Sequence, residues 1–417
     1  MSVLAVLAAA VSVAGIPAGP AWSAASSPAA VSTGTPQATR QVQYRGYQVR
    51  VPASWPVYHL AADPTRGVLF NTHAVYLGTP GANQQCPARA IGRTNAVLIQ
   101  PASPAAQLPP GTAVLPAKAA ALPARASLPP VAAAAATAAH ALQIDVPGPG
   151  VLVTATYGAD PSEARAILAS AKATQQAAAR RASTPATASP AQAASSGTAA
   201  PADEARPATA GDLVGRNGRG LAFDTCTAPS VSTMSAWRVS PYRVVGTYLG
   251  GVNWACSYGN FNSSWVTAVS AQGWQFIPIW VGLQAPCYAH QGAQKMKSAK
   301  AYAQGKADAA SAVATAQSFG YGKGSPIYFD MEGYPRSNPA CTKAVLTFLS
   351  GWTRRLHTAG YQSGVYSSAN SGISDLTTRY HTAGYPRPDD IWVADWAGNP
   401  SLTDPSVPSD EWTGHKR

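Results

Sequence analysis

Two acidic residues separated by one position, Asp330 and Glu332, close the run Ser325-Pro326-Ile327-Tyr328-Phe329-Asp330-Met331-Glu332-Gly333. Proline at the entrance, β-branched and aromatic residues in the middle and glycine at the exit read as a short buried strand. Side chains two apart on a strand share a face, so both carboxylates point the same way with Cα atoms about 6.6 Å apart. Like charges that close raise one proton affinity, which gives a protonated acid beside an ionised carboxylate at one pH. The plainer reading is a solvated strand end, with Asp330 capping the next loop. Other segments that end in the same way shift the balance: Gly220-Leu221-Ala222-Phe223-Asp224 and Ile391-Trp392-Val393-Ala394-Asp395-Trp396 are also apolar runs with an acid near their end.

These acids need elements to position them. From Gly211 onward, apolar strand-like runs alternate with helical ones. Strands are expected over 220–224, 244–251, 274–282, 327–332, 363–366 and 391–396, with helices over 229–238, 262–272, 296–319 and 342–359. The last of these carries Leu346, Leu349, Trp352 and Leu356 on one stripe. Such alternation predicts a parallel sheet. Acids at several strand ends favour a closed α/β barrel of the (β/α)8 TIM type, whose sites gather at the C-terminal strand ends. Six strands are clear and Trp412 could begin a seventh; with no eighth in the sequence, a barrel truncated at its C-terminus is the expectation for 211–417.

Taken together, Gly220–Asp224, Val245-Gly-Thr-Tyr-Leu-Gly-Gly251, Gly273-Trp-Gln-Phe-Ile-Pro-Ile-Trp280, Ile327–Glu332 and Ile391–Trp396 resemble a glycoside-hydrolase-like barrel domain of unknown function found in secreted actinobacterial proteins, distantly similar to the family 25 lysozymes. The resemblance covers 211–417. It implies a TIM-type barrel in which Glu332 matches the general acid, Asp330 its carboxylate partner and Asp224 the first-strand acid, while Asp395 sits where the sixth strand lends a polar group.

Glycosidic bond cleavage requires an acid for the leaving oxygen and a carboxylate for the oxocarbenium ion or for water. Glu332 suits the acid role because its longer side chain reaches further from the strand end. Asp330 or Asp224 would stabilise the cation or orient a substrate amide. The backbone spacing of Asp330 and Glu332 lies near the boundary between retaining and inverting separations and selects neither. Tyr248, Trp280, Tyr366, Trp392 and Trp396 lie on or beside strand ends, where aromatic faces suit sugar rings, although about half of such residues serve packing. No metal or other cofactor is expected: no histidine lies on an acid-bearing strand, and no nucleophile elbow is present. Two functional readings follow. One is an enzyme acting on peptidoglycan or another cell-envelope polysaccharide. The other is a carbohydrate- or cell-wall-binding pseudoenzyme that keeps the groove without turnover.

Composition bounds the rest. The chain has 417 residues, 12% of them charged, with a formal net charge of +12. Its lysines and arginines are scattered without a dense basic run or a nucleic-acid motif, so nucleic acid is not an expected partner. Attraction to anionic envelope polymers is the better use of the charge. Residues 1–25 match the apolar part of a secretory signal peptide with an incomplete n-region, and no membrane-spanning segment is expected elsewhere. A secreted or cell-wall-associated protein is the expectation, with its oligomeric state unread. None of the five cysteines forms a metal-type pair. In an exported chain Cys226, Cys256, Cys287 and Cys341 imply two disulfides; of three connectivities, Cys226 with Cys256 and Cys287 with Cys341 is favoured, leaving Cys86 unpaired. Residues 26–39 are a flexible lead-in and 173–210 an Ala/Pro/Thr/Ser-rich linker. Between them, 40–172 reads as a small α+β accessory domain. Its strands are expected at 41–52, 68–70, 74–77, 96–99, 142–147 and 151–157, with a disordered insert over 101–139 and a helix opening at Asp160.

Overall fold

In the computed structural model, residues 38–81, 84–86, 90–102, 108, 111–174, 221–380 and 382–394 are described. The expected signal peptide, the linker from 175 on, Asp395, Trp396 and the possible strand at Trp412 lie outside them. So does the lead-in apart from its last two residues, of which Thr39 already opens the first strand.

The C-terminal sheet has six strands: β10 (Leu221–Thr225), β11 (Tyr242–Gly250), β12 (Gln275–Trp280), β13 (Pro326–Met331), β14 (Gln362–Ser368) and β15 (Asp390–Ala394). They pair in sequence order, every neighbour parallel. Crossover segments return the chain to the same end each time, as parallel pairing demands. The result is a curled, mixed α/β half-barrel; among the described residues it does not close into the eight-stranded barrel that the strand count was meant to complete. Cap residues locate the helices. Asn262 Oδ1 accepts from Trp265 N at 2.8 Å before α4 (Ser263–Ala271), and Asn338 Oδ1 accepts from Cys341 N at 3.1 Å before α6 (Pro339–Ala359). Helix α3 (Val231–Ala236) precedes β11, and α5 (Ala301–Ser318) lies between α4 and α6. One face of each strand packs on the helices: Phe329 meets Phe348 and Trp352 of α6 with ring centroids 4.9 and 5.0 Å apart. The opposite face lines the inside of the curl.

The N-terminal region begins with the hairpin β1 (Thr39–Tyr44) and β2 (Tyr47–Pro52), turned by Arg45 and Gly46 with φ of 51° and 83°, the left-handed pair a tight hairpin requires. A six-stranded mixed sheet follows in the order β3 (Val57–His59), β4 (Val75–Leu77), β5 (Ala96–Pro101), β8 (Val151–Thr156), β7 (Ala141–Val146), β6 (Ala113–Val114). Helix α1 (Pro130–Ala139) precedes β7; α2 (Ser162–Ala169) follows β8 and leads to β9 (Lys172–Ala173), which adds to β2. Asp160 accepts from Ser162 N at 2.9 Å, the expected helix opening.

Two expectations for this region are corrected. Residues 68–70 form no strand; Phe70 N instead donates to Ala255 O at 2.7 Å, so its backbone bonds across to the C-terminal half. The stretch 101–139 is not a disordered insert throughout, because it contains β6 and α1. Leu115, Leu122, Ala132 and Ala136 are buried in the core of the sheet. Small alanine faces lie flat on a sheet supplied by distant residues, which local composition does not register. The described residues from Ala38 onward form one compact unit. None of their helices is long and apolar enough to cross a membrane.

Candidate functional site

Parallel pairing brings the strand-end residues together. Asp330 of β13 stands opposite Tyr366 of β14, and Tyr366 opposite Trp392 of β15. Asp224 of β10 stands opposite Gly246 of β11. A Cβ at position 246 would lie 2.7 Å from the Asp224 Cβ, so glycine there makes room for the acid inside the curl. Asp224, Tyr248, Asp330, Glu332, Tyr366 and Trp392 all line one cleft of about 530 Å³ at the C-terminal end of the sheet. That volume suits a small-molecule or sugar ligand.

Asp330 is 5% exposed and its Oδ1 has no hydrogen-bond partner among the described residues. Burial, reinforced by the charges of Glu332 and then Asp224, raises its pKa well above the carboxylate range. Burial of Asp330 favours its protonated form. Glu332, one pleat nearer solvent, is half-buried. Tyr248 donates from its hydroxyl to Asp224 Oδ2 at 3.1 Å, which orients that carboxylate. Burial first, then the charges of Asp330 and Asp224, raise the Tyr248 phenol well above its usual value, so it remains a donor.

The framework under the carboxylates has a fixed centre in Gln284, which is 0% exposed. Its Nε2 donates to Asp330 O at 2.8 Å and to Gly282 O at 3.2 Å, while its Oε1 accepts from Glu332 N at 2.9 Å. One side chain thereby holds the backbone on both sides of Met331. Beyond Glu332 the chain is fastened by Asp375, which accepts from Tyr334 Oη at 2.7 Å and from Arg336 Nε at 2.7 Å. Disulfides tie the rim: Cys226–Cys256 joins the loops after β10 and β11, and Cys287–Cys341 joins the loop after β12 to α6, with Cα separations of 5.8 and 5.9 Å. This is the favoured connectivity, and Cys86 is free. Sequence reasoning missed Gln284, Tyr334 and Asp375. A lone polar residue carries no periodic signal, and the partners that matter here lie 39 to 48 residues away.

Not every expected site residue lies in the cleft. Trp280 is 2% exposed and packs in the core between sheet and helices, while its neighbours Ile279 and Val281 face the cleft. Asp395 and Trp396 fall outside the described residues. No group of three or more His, Cys, Asp or Glu side chains among the described residues is placed to hold a metal ion.

Residues 235–417 match the family described as the Rv2525c-like, glycoside hydrolase-like domain, so this part of the chain carries a glycoside-hydrolase-like domain of unknown function. No curated protein matches. A solved structure described as the 1.07 Å crystal structure of an uncharacterized B. stearothermophilus protein is similar over 41% of this chain and 73% of that one, at 18% identity and a TM-score of 0.31. At that score the likeness bears on neither fold nor function.

Proposed function

We propose that this is a secreted protein acting on a cell-envelope glycan, with peptidoglycan as the first substrate to test, and that it cleaves a glycosidic bond with acid assistance. The observation that supports the reading is the convergence of Asp224, Asp330 and Glu332 with Tyr248, Tyr366 and Trp392 in one cleft at the C-terminal ends of parallel strands. A buried acid with raised proton affinity beside further carboxylates in one cleft is what glycoside hydrolysis uses. In this proposal the Asp330–Glu332 pair shares one proton, its affinity raised by burial of Asp330. Glu332, at the more open position, presents it to the leaving oxygen. Asp224, held by Tyr248, faces the developing positive charge. Tyr366 and Trp392 offer faces to the sugar. The finer fold reading belongs to the same proposal: six parallel strands in chain order are the major part of a (β/α)8 barrel, with 40–172 as an accessory domain. Two disulfides fit an oxidising compartment.

The test is reducing-end release from purified peptidoglycan. Glu332→Gln is expected to lower release by about 10²-fold or more, the usual contribution of a general acid. Binding without release by either form would replace hydrolysis with carbohydrate recognition.

A further inference from the structure

The cleft is not built from the half-barrel alone. Gln84, Cys86, Ala90 and Ile91, all from the N-terminal region, line it together with the strand-end acids. This wall is fastened to the half-barrel through main chain. Ile91 forms an antiparallel bridge with Trp254, Gly92 N donates to Asn253 O at 2.9 Å, and Phe70 N donates to Ala255 O at 2.7 Å. Asn253 is itself buried and donates from Nδ2 to Gly282 O and Gln294 O, so the anchor reaches the loop that carries Gln284. Arg93, 5% exposed, lies over the rings of Phe70 and Trp254, 5.3 and 5.9 Å from their centroids.

The wall also holds unused hydrogen-bonding capacity. Gln84 Oε1 accepts from Val68 N at 2.9 Å, which orients the amide, but Gln84 Nε2 is buried without a partner among the described residues. The indole N–H of Trp254, on the same cleft and 3% exposed, is likewise without one. Buried donors without acceptors are costly and point to a ligand that supplies them. Beside them stand the aliphatic surfaces of Ala90 and Ile91.

Resting on the glycan reading above, we infer that the N-terminal region, together with the loop after β11 that carries Trp254, forms a sugar-binding subsite. Its Gln84 and Trp254 donors hold an acceptor oxygen of the glycan, while an apolar part of the sugar lies on Ala90 and Ile91. The half-barrel supplies the acids and the N-terminal region supplies part of the selectivity.

The full chain tests this with soluble, sonicated peptidoglycan as the probe, by calorimetry and by maleimide labelling of Cys86, which sits on the same wall. Gln84→Glu keeps the acceptor for Val68 N and removes the free donor; Ala90→Trp fills the subsite. Each is expected to weaken binding about 10-fold while remaining fully folded at the assay temperature by circular dichroism, and the probe is expected to slow Cys86 labelling in the parent and in Glu332→Gln alike. Equal binding by parent and both wall variants, with unprotected Cys86, would overturn the inference while leaving the glycan reading in place. Absence of any binding to the parent would remove both together.

Discussion

The side chain on which the acids depend most is Gln284. It satisfies Asp330 O and Glu332 N at once, and it is fully buried. Gln284→Leu preserves approximate volume but strands both backbone groups without water. Each orphaned group costs roughly 1–3 kcal/mol, so a loss of about 2–4 kcal/mol is expected in urea unfolding. A change within experimental error would mean that the loop relaxes to satisfy them otherwise. Asp308 of α5 is a second buried acid. It accepts from Leu283 N at 3.0 Å, and burial pushes its pKa up to about 7. In the unfolded chain the same carboxyl titrates near 3.8. Between these values the folded state binds the extra proton. The contribution of Asp308 to stability is therefore greatest below about 4, falls as pH rises towards about 7 and is level above that. Asp308→Asn removes the titration, so the melting temperature of the variant relative to the parent is expected to climb from pH 4 to pH 7 and then flatten. Parallel melting curves at stepped pH measure it; a constant difference would contradict the burial argument.

Elements show which parts of the design were legible. Strands β10 to β15 announce themselves by apolar runs between turn residues, and their acids by position at the run's end. Trp280 illustrates the limit. The run 274–280 is apolar at almost every position because a strand of a parallel sheet is covered on both faces, so alternation cannot say which side a tryptophan takes. The pairing register decides it: Ile279 stands beside Tyr248, with which it lines the cleft, and Trp280 turns to the helices. Helix crossing was equally hidden. Gly305 of α5 and Gly351 of α6 lie where each backbone meets the other helix: a Cβ on Gly351 would collide with Tyr302 O, and one on Gly305 with Phe348 O. In a solvent-facing helix, glycine to alanine stabilises by about 1 kcal/mol through propensity alone. Here Gly351→Ala is expected to destabilise by about 1–3 kcal/mol, since the packed helices must separate. Chemical denaturation gives the sign, and a stabilised variant would refute the close crossing.

At the scale of the whole molecule, the contact between the N-terminal region and the half-barrel is what no local pattern announced. It joins residues of 69–93 to residues of 253–293, and its central cation, Arg93, reads in the sequence as an ordinary surface arginine between Gly92 and Thr94. Burial lowers its pKa to about 10, which leaves it charged at neutral pH, spread over Phe70 and Trp254. Its Nε has no partner among the described residues, so the aromatic faces and packing of the stem account for its hold. Arg93→Ala removes both and opens a hole between the two halves, at an expected cost of about 2–4 kcal/mol. Because this contact couples the halves, calorimetric unfolding of the parent is expected as one transition and that of Arg93→Ala as a broadened or divided one. Two well-separated transitions in the parent, unmoved by the substitution, would show that the halves unfold independently and that the cleft wall is held by something other than Arg93.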